Sequence, residues 1–185
     1  MIESAPISDI SLEQDIKDSI RTVMDFPKEG IAFKDITTLL LKPELSRKCI
    51  QEFADFARTL EIDAICGIEA RGFILGMAIA QELNIPFIPI RKKGKLPAER
   101  VSHTYDLEYG TDTLEIHKDA IKPGMKVMIH DDLLATGGTA EASSILIDKM
   151  QGKVAAYSFI ITLNFLNGKD KLAKFSNKMV SLANY

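Results

Sequence analysis

Val127-Met-Ile-His-Asp-Asp-Leu-Leu-Ala-Thr-Gly-Gly-Thr139 is the stretch whose reading decides the fold. Val127, Met128 and Ile129 follow the turn Lys122-Pro-Gly124 and predict a short strand buried on both faces, as in a parallel sheet. At its carboxyl end the chemistry changes to two adjacent carboxylates, Asp131 and Asp132. Ala135, Thr136, Gly137, Gly138 and Thr139 then make a small-residue loop that opens a helix from about Ala140 to Met150.

A helix start carries unpaired N–H groups and partial positive charge, so it favours an anion, typically phosphate. Gly137 and Gly138 let the backbone turn tightly and approach a ligand with no side chain in the way. The acidic pair repels that same phosphate and suits the hydroxyls of a sugar, directly or through a metal-bound water. Phosphate on the loop and a polyol on the carboxylates describe a ribose 5-phosphate. The commoner nucleotide signatures, G-x-x-x-x-G-K-[ST] and G-x-G-x-x-G, are absent. An ordinary strand-to-helix loop with a Thr cap explains T-G-G-T alone, but not strand, paired Asp and Gly-Gly in one register.

The plan recurs upstream. Ala64-Ile-Cys-Gly-Ile68 is a second apolar strand, leading through Glu69-Ala-Arg-Gly72 into a helix from Phe73 to Leu83. Its loop therefore faces the same end of the sheet, where open α/β sheets bind ligands. Phe87 to Arg91 predicts a third strand, followed by Arg91-Lys-Lys-Gly-Lys-Leu-Pro-Ala-Glu-Arg100, with five basic residues against one acidic. Beside a phosphate site, that run reads as contacts for a multiply charged anion.

Further out the pattern is ordinary. Ser11-Leu-Glu-Gln14 offers a capping box, and Leu12, Ile16, Ile20 and Val23 recur at helical spacing, predicting a first helix over 12–24. Asp25-Phe-Pro-Lys-Glu-Gly30 is a turn, and Ile31 to Thr38 follows in extended form. Pro43 opens a helix to about Leu60. Residues 97–112 have weak periodicity, and Thr113-Leu-Glu-Ile-His117 alternates as a half-exposed strand. Val154 to Thr162 is a long apolar strand, Asn167-Gly168 a turn, Lys169 to Lys174 a short helix and Met179 to Leu182 a closing strand. Strands alternating with helices predict an α/β fold: a parallel sheet flanked by helices.

The 185 residues suit a single domain (1–185) that buries roughly 70% of its unfolded surface. A net charge of −3 offers no general affinity for nucleic acid or anionic membrane. No apolar run approaches the ~18 residues of a membrane span, and the first residues lack a basic leader, so a cytoplasmic location is expected. Cys49 and Cys66 sit in apolar patterns and read as core. His103, His117 and His130 lack ligand spacing, and His130 reads as a locally hydrogen-bonded strand-end residue.

The central stretch resembles the phosphoribosyl pyrophosphate (PRPP) signature of type I phosphoribosyltransferases, and Ile20 to Leu182 resembles the members that act on adenine. Asp25-Phe-Pro to Phe33-Lys-Asp-Ile36 is similar to their F-P-x-x-G-x-x-F-x-D-I segment, with Glu29 where Pro is frequent. Arg91-Lys-Lys-Gly-Lys-Leu-Pro97 matches R-K-x-G-K-L-P, and Leu107-Glu-Tyr-Gly110 matches the adenine-specific L-E-Y-G. The resemblance implies a small N-terminal hood over the base within residues 1–40, with Ala32, Phe33 and Lys34 flanking the purine and Phe33 stacking on it. It implies pyrophosphate binding by Glu69, Ala70, Arg71, Lys92 and Lys95, with a non-proline cis peptide at Glu69-Ala70. A mobile lid loop over 97–112 would carry Glu108, the proton-transfer residue, and Tyr109, which helps close it.

The implied reaction joins adenine to PRPP, giving AMP and pyrophosphate in a purine-salvage enzyme. Mg²⁺ would be held mainly by PRPP, with no direct protein ligand, and a homodimer is implied. Two other readings keep the ribose-phosphate site: transfer to hypoxanthine, xanthine or orotate, and a non-catalytic PRPP sensor. A sensor needs a DNA-binding segment, and residues 1–25 carry six acidic side chains against Lys17 and Arg21.

Overall fold

The computed structural model describes residues 2–7, 9–106 and 110–185. The first half contains β1 (Glu3–Ser4), α1 (Ile10–Ser19), β2 (Arg21–Met24), β3 (Ala32–Asp35), α2 (Thr37–Leu40), α3 (Pro43–Arg58), β4 (Ala64–Ile68) and α4 (Gly72–Leu83). The second contains β5 (Phe87–Lys92), β6 (Arg100–Asp106), β7 (Thr111–His117), β8 (Lys126–Leu134), α5 (Gly138–Lys149), β9 (Lys153–Thr162), α6 (Lys169–Leu172) and β10 (Lys178–Asn184).

The two apolar runs that lead into glycine loops become neighbours. β4 pairs with β8 in parallel, Cys66 beside Ile129, in a sheet of order β1-β10-β9-β8-β4-β5-β7-β6. Pairing is parallel from β1 to β5; β7 and β6 close that edge antiparallel. All five residues of β4 are buried, as a strand covered on both faces requires. Neighbouring strand residues project to opposite faces, so Val127 and Ile129 pack with Leu146 and Ile147 of α5, and Met128 packs with Phe53 of α3 and Ile79 of α4. Both glycine loops thus emerge at one end of the sheet, side by side.

Several boundaries differ from expectation. The first helix ends at Ser19, and Arg21–Met24 is a strand paired antiparallel with β3, Val23 opposite Phe33. Leu12, Ile16 and Ile20 do form the buried stripe. Val23 fits the same spacing, yet a β-branched residue serves a hairpin equally well, and Phe33 supplies its partner. Asp9, not Ser11, caps that helix, its carboxylate accepting the Ser11 N–H at 2.9 Å. Extended structure after Ile31 lasts only to Asp35 before the chain turns into α2.

Most of 97–112 is regular. Arg100–Asp106 pairs with Thr111–His117 as an antiparallel hairpin, in place of a long irregular loop. Its second strand is not half-exposed: Leu114, Glu115 and Ile116 are all buried. Glu115 tolerates this because its carboxylate accepts hydrogen bonds from Arg100 Nε at 3.1 Å and Gly94 N at 2.9 Å.

Candidate active site

A cleft of about 210 Å³ opens where β8 runs into α5, lined by Arg71, Asp131, Asp132 and the backbone from Ala135 to Thr139. The sequence-predicted ribose-phosphate residues Asp131, Asp132, Ala135, Thr136, Gly137, Gly138 and Thr139 all line it. α5 begins at Gly138, two residues before the expected Ala140, and no side chain caps it. Its first N–H groups therefore remain available to an anion. α4 is uncapped in the same way, at the neighbouring loop after β4. Arg71 is the residue from which α4 starts, and its side chain reaches Asp132 on β8.

Gly137 makes the loop possible. Its φ of +79° lies in the left-handed region, and a Cβ there would stand 2.5 Å from the carbonyl oxygen of Gly168. Gly168 reciprocates: its own Cβ would meet the Ala135 carbonyl oxygen, which no side chain could tolerate. Asn167-Gly168 reads in sequence as a turn; the packing of these backbones makes Gly168 the buttress of the Ala135–Thr139 loop. Nothing in the local sequence signals a partner thirty residues away.

The acidic pair is asymmetric. Asp132 is buried and accepts from Arg71 Nε at 2.5 Å, while Asp131, half-buried, accepts the Asp132 N–H at 2.9 Å. Loss of water around the Asp131 carboxyl, and the Asp132 charge beside it, push its pKa well above the usual carboxylate range. Arg71 opposes that shift, and its guanidinium lies 5.7 Å from the centre of the Phe33 ring. Phe33 in turn meets Phe26 edge-to-face at 5.1 Å. The β2–β3 hairpin thus brings Phe33 against the cleft, next to Arg71. Ala32 is exposed, and the Lys34 side chain turns to the other side, 3.0 Å from Thr22 Oγ1 and over the Tyr185 ring. Lys34 offers the cleft only its backbone.

The loop after β4 has the expected cis peptide at Glu69-Ala70. The Glu69 side chain is taken up internally, accepting from Arg91 Nη2 at 3.1 Å and from the Lys92 N–H at 3.0 Å. It thereby ties the basic run to the β4 loop and is not itself an anion donor. The ammonium of Lys92 lies 3.1 Å from Asp112, which raises its pKa, and Lys95 is exposed. Glu108 and Tyr109 lie outside the described residues. The strands flanking them are described, and the Tyr105 hydroxyl of β6 lies 3.3 Å from Thr139 Oγ1, so the hairpin adjoins the Ala135–Thr139 loop.

His130 is fully buried, its Nδ1 2.9 Å from Ser158 Oγ and its ring edge-to-face with Phe53. Its Nε2 has no hydrogen-bond partner among the described residues. It is a core residue, and burial lowers its pKa to about 3. An unfolded imidazole titrates near 6.5, so below that pH the unfolded chain takes up a proton that the folded chain refuses. Stability is expected to fall by up to about 1.4 kcal/mol per pH unit as the pH drops from about 6.5 towards 3. Urea midpoints at pH 7 and pH 5 should show a smaller drop for His130→Asn than for the unmodified chain; equal drops would assign the slope to other groups.

The sequence profile of the phosphoribosyl transferase domain matches residues 36–177. Adenine phosphoribosyltransferase of Cytophaga hutchinsonii is 57% identical over 174 residues, covering 94% of this chain and 96% of that protein. The crystal structure of adenine phosphoribosyltransferase from Thermoanaerobacter pseudethanolicus superposes with a TM-score of 0.89 at 46% identity, covering 93% of this chain and 99% of that one. That of the Trypanosoma brucei enzyme, in complex with AMP, pyrophosphate and ribose-5-phosphate, superposes with a TM-score of 0.87 at 27% identity, covering 96% and 81%.

Proposed function

The chain belongs to the phosphoribosyltransferase family, among its adenine phosphoribosyltransferases, and from that premise we propose how its site carries out the transfer. The reaction moves the 5-phosphoribosyl group of PRPP to N9 of adenine, giving AMP and pyrophosphate. The observation that carries the residue assignment is one cleft holding an uncapped helix start, an acidic pair and Arg71.

The 5-phosphate sits on the N–H groups of Thr136 to Thr139, where α5 begins. Asp131 and Asp132 hold the ribose hydroxyls. As the bond from the anomeric carbon to pyrophosphate breaks, its electron pair leaves with pyrophosphate and positive charge grows on the ring, which the carboxylates favour. Negative charge on the leaving group is met by Arg71, Lys92, Lys95 and the backbone of the Glu69-Ala70 loop. N9 of adenine then bonds to the anomeric carbon through its lone pair, and the base gives up the proton carried at N7 to the Glu108 carboxylate. Phe33 stacks on the purine, backbone groups of Ala32 and Lys34 read its edge, and Tyr109 helps close the 97–112 arm over the site, excluding water.

Asp131 and Asp132 are hard oxygen donors beside the phosphate loop, which suits Mg²⁺ brought in on PRPP. Among the described residues no group of three or more His, Cys, Asp or Glu side chains gathers to hold a metal. Mg²⁺ would be held by phosphate oxygens and water, with Asp131 and Asp132 reaching it only through that water, and it would supply charge neutralisation on pyrophosphate.

Ile74 and Met77, three residues apart on α4 and each more than two-fifths exposed, favour a homodimer through that helix. Among the described residues no helix is long and apolar enough to cross a membrane. Cys49 and Cys66 are free, buried thiols, consistent with a cytoplasmic location.

The direct test is a base panel: purified protein, Mg²⁺ and PRPP with adenine, guanine, hypoxanthine, xanthine or orotate, products separated by chromatography and subunit mass measured alongside by light scattering. AMP from adenine alone, made by a two-subunit particle, is the expected outcome. Product from an oxo-purine would mean that the hood and L-E-Y-G segment were misassigned. PRPP binding with no product from any base would favour a sensor.

A further inference from the structure

Lys92, assigned above to pyrophosphate, already has an anionic partner. Its ammonium lies 3.1 Å from Oδ2 of Asp112. Asp112 belongs neither to the basic run nor to the acidic pair. It comes from β7, twenty residues further along the chain, and reaches Lys92 because β5 and β7 pair antiparallel. On the same hairpin Tyr105 stands directly opposite Asp112, and cross-strand partners project from one face. The Tyr105 hydroxyl lies 3.3 Å from Thr139 Oγ1. One face of the hairpin therefore spans from Lys92 to the phosphate loop, and both ends hold a group that the ligand needs.

The geometry points to Asp112 as an affinity-setting residue: an internal counter-anion that holds Lys92 until pyrophosphate, free or on PRPP, takes it. This rests on the assignment of Lys92 to pyrophosphate. An anion arriving there must displace a carboxylate that also repels it, and the same carboxylate favours the anion's release after transfer. The hairpin does not need the ion pair to stand. It is paired from Arg100–His117 to Asp106–Thr111, and Asp112 Oδ1 is already engaged by the neighbouring Thr113 N–H at 2.8 Å. With the Lys92 side chain 57% exposed and that of Asp112 24%, water screens the pair, so the effect is graded and not a switch.

The test is calorimetric titration of the full-length protein with inorganic pyrophosphate in Mg²⁺, using Asp112→Asn, Asp112→Glu, Lys92→Met and the Asn/Met double variant. Asp112→Asn is expected to bind pyrophosphate roughly two- to five-fold more tightly, with KM for PRPP falling in parallel and KM for adenine unchanged. Asp112→Glu should restore the original affinity, Lys92→Met should weaken it, and the gain from Asp112→Asn should shrink in the Lys92→Met background. Unchanged or weaker binding by Asp112→Asn, while Lys92→Met still weakens it, overturns the role of Asp112 and leaves the pyrophosphate site standing. Unchanged binding by Lys92→Met removes Lys92 from that site, and this proposal with it.

Discussion

Replacing Glu108 by Gln is expected to lower kcat by about 10²–10⁴-fold while PRPP still binds, the range that general acid–base help supplies. Gln keeps the size and hydrogen-bonding reach of the side chain but neither takes nor gives the proton that adenine must shed when N9 bonds to the sugar. The described ends of the hairpin, Asp106 paired with Thr111, flank the L-E-Y-G segment in the chain, and the backbone at Asp106 runs beside Gly138. A carboxylate carried there belongs to the arm that already reaches Thr139 through Tyr105. The check is steady-state turnover at saturating adenine and PRPP, with PRPP binding measured separately by calorimetry. Near-normal turnover removes Glu108 from the chemistry. Lost turnover with lost PRPP binding assigns it to closing the site instead.

The second large effect is expected at Gly137. Gly137→Ala places a methyl group 2.5 Å from the Gly168 carbonyl oxygen, in a backbone conformation of φ +79° that alanine resists. Neither side yields easily, because Gly168 is packed against Ala135 in the same contact. The loop must shift by something like an ångström, and misplacement on that scale costs about 100-fold in rate. We expect kcat/KM for PRPP to fall at least that far. Gly124→Ala isolates the conformational part: Gly124 has a φ of +81° with no atom within 4 Å of the added Cβ. That control should lose about 1–2 kcal/mol of stability in urea unfolding and keep its activity. Equal activity in the two variants would mean that the loop tolerates displacement and the buttress is unimportant.

What could be read in the chain was read where chemistry and local structure share a few consecutive residues. Asp131 to Thr139 needs only its own strand and helix to present an acidic pair and open N–H groups, so spacing alone exposes it. The Glu69–Gly72 loop repeats that plan and is legible in the same way, yet nothing in its sequence shows that the Glu69 carboxylate holds Arg91 and Lys92 in place. A carboxylate two residues from an arginine looks the same in sequence whether it faces ligand or neighbour. Val23 shows the matching failure in secondary structure, because period 3.6 and a β-branched residue in a hairpin coincide over one position. Residues 97–112 carry too weak an alternation to declare a strand, and only pairing with β7 makes one.

The sequence by itself determined the α/β class, the two strand–loop–helix units, the Gly-Gly loop and the acidic pair. Each depends on hydrophobic periodicity or backbone conformation within a dozen residues, and such preferences are written locally. Tertiary structure alone decided that Gly168 braces Gly137, that Phe33 lies against Arg71, that Asp112 occupies Lys92 and that Tyr105 reaches Thr139. Those contacts join residues between twenty and nearly forty positions apart. They arise from strand order and register, set by the burial of the whole sheet and not by any one segment.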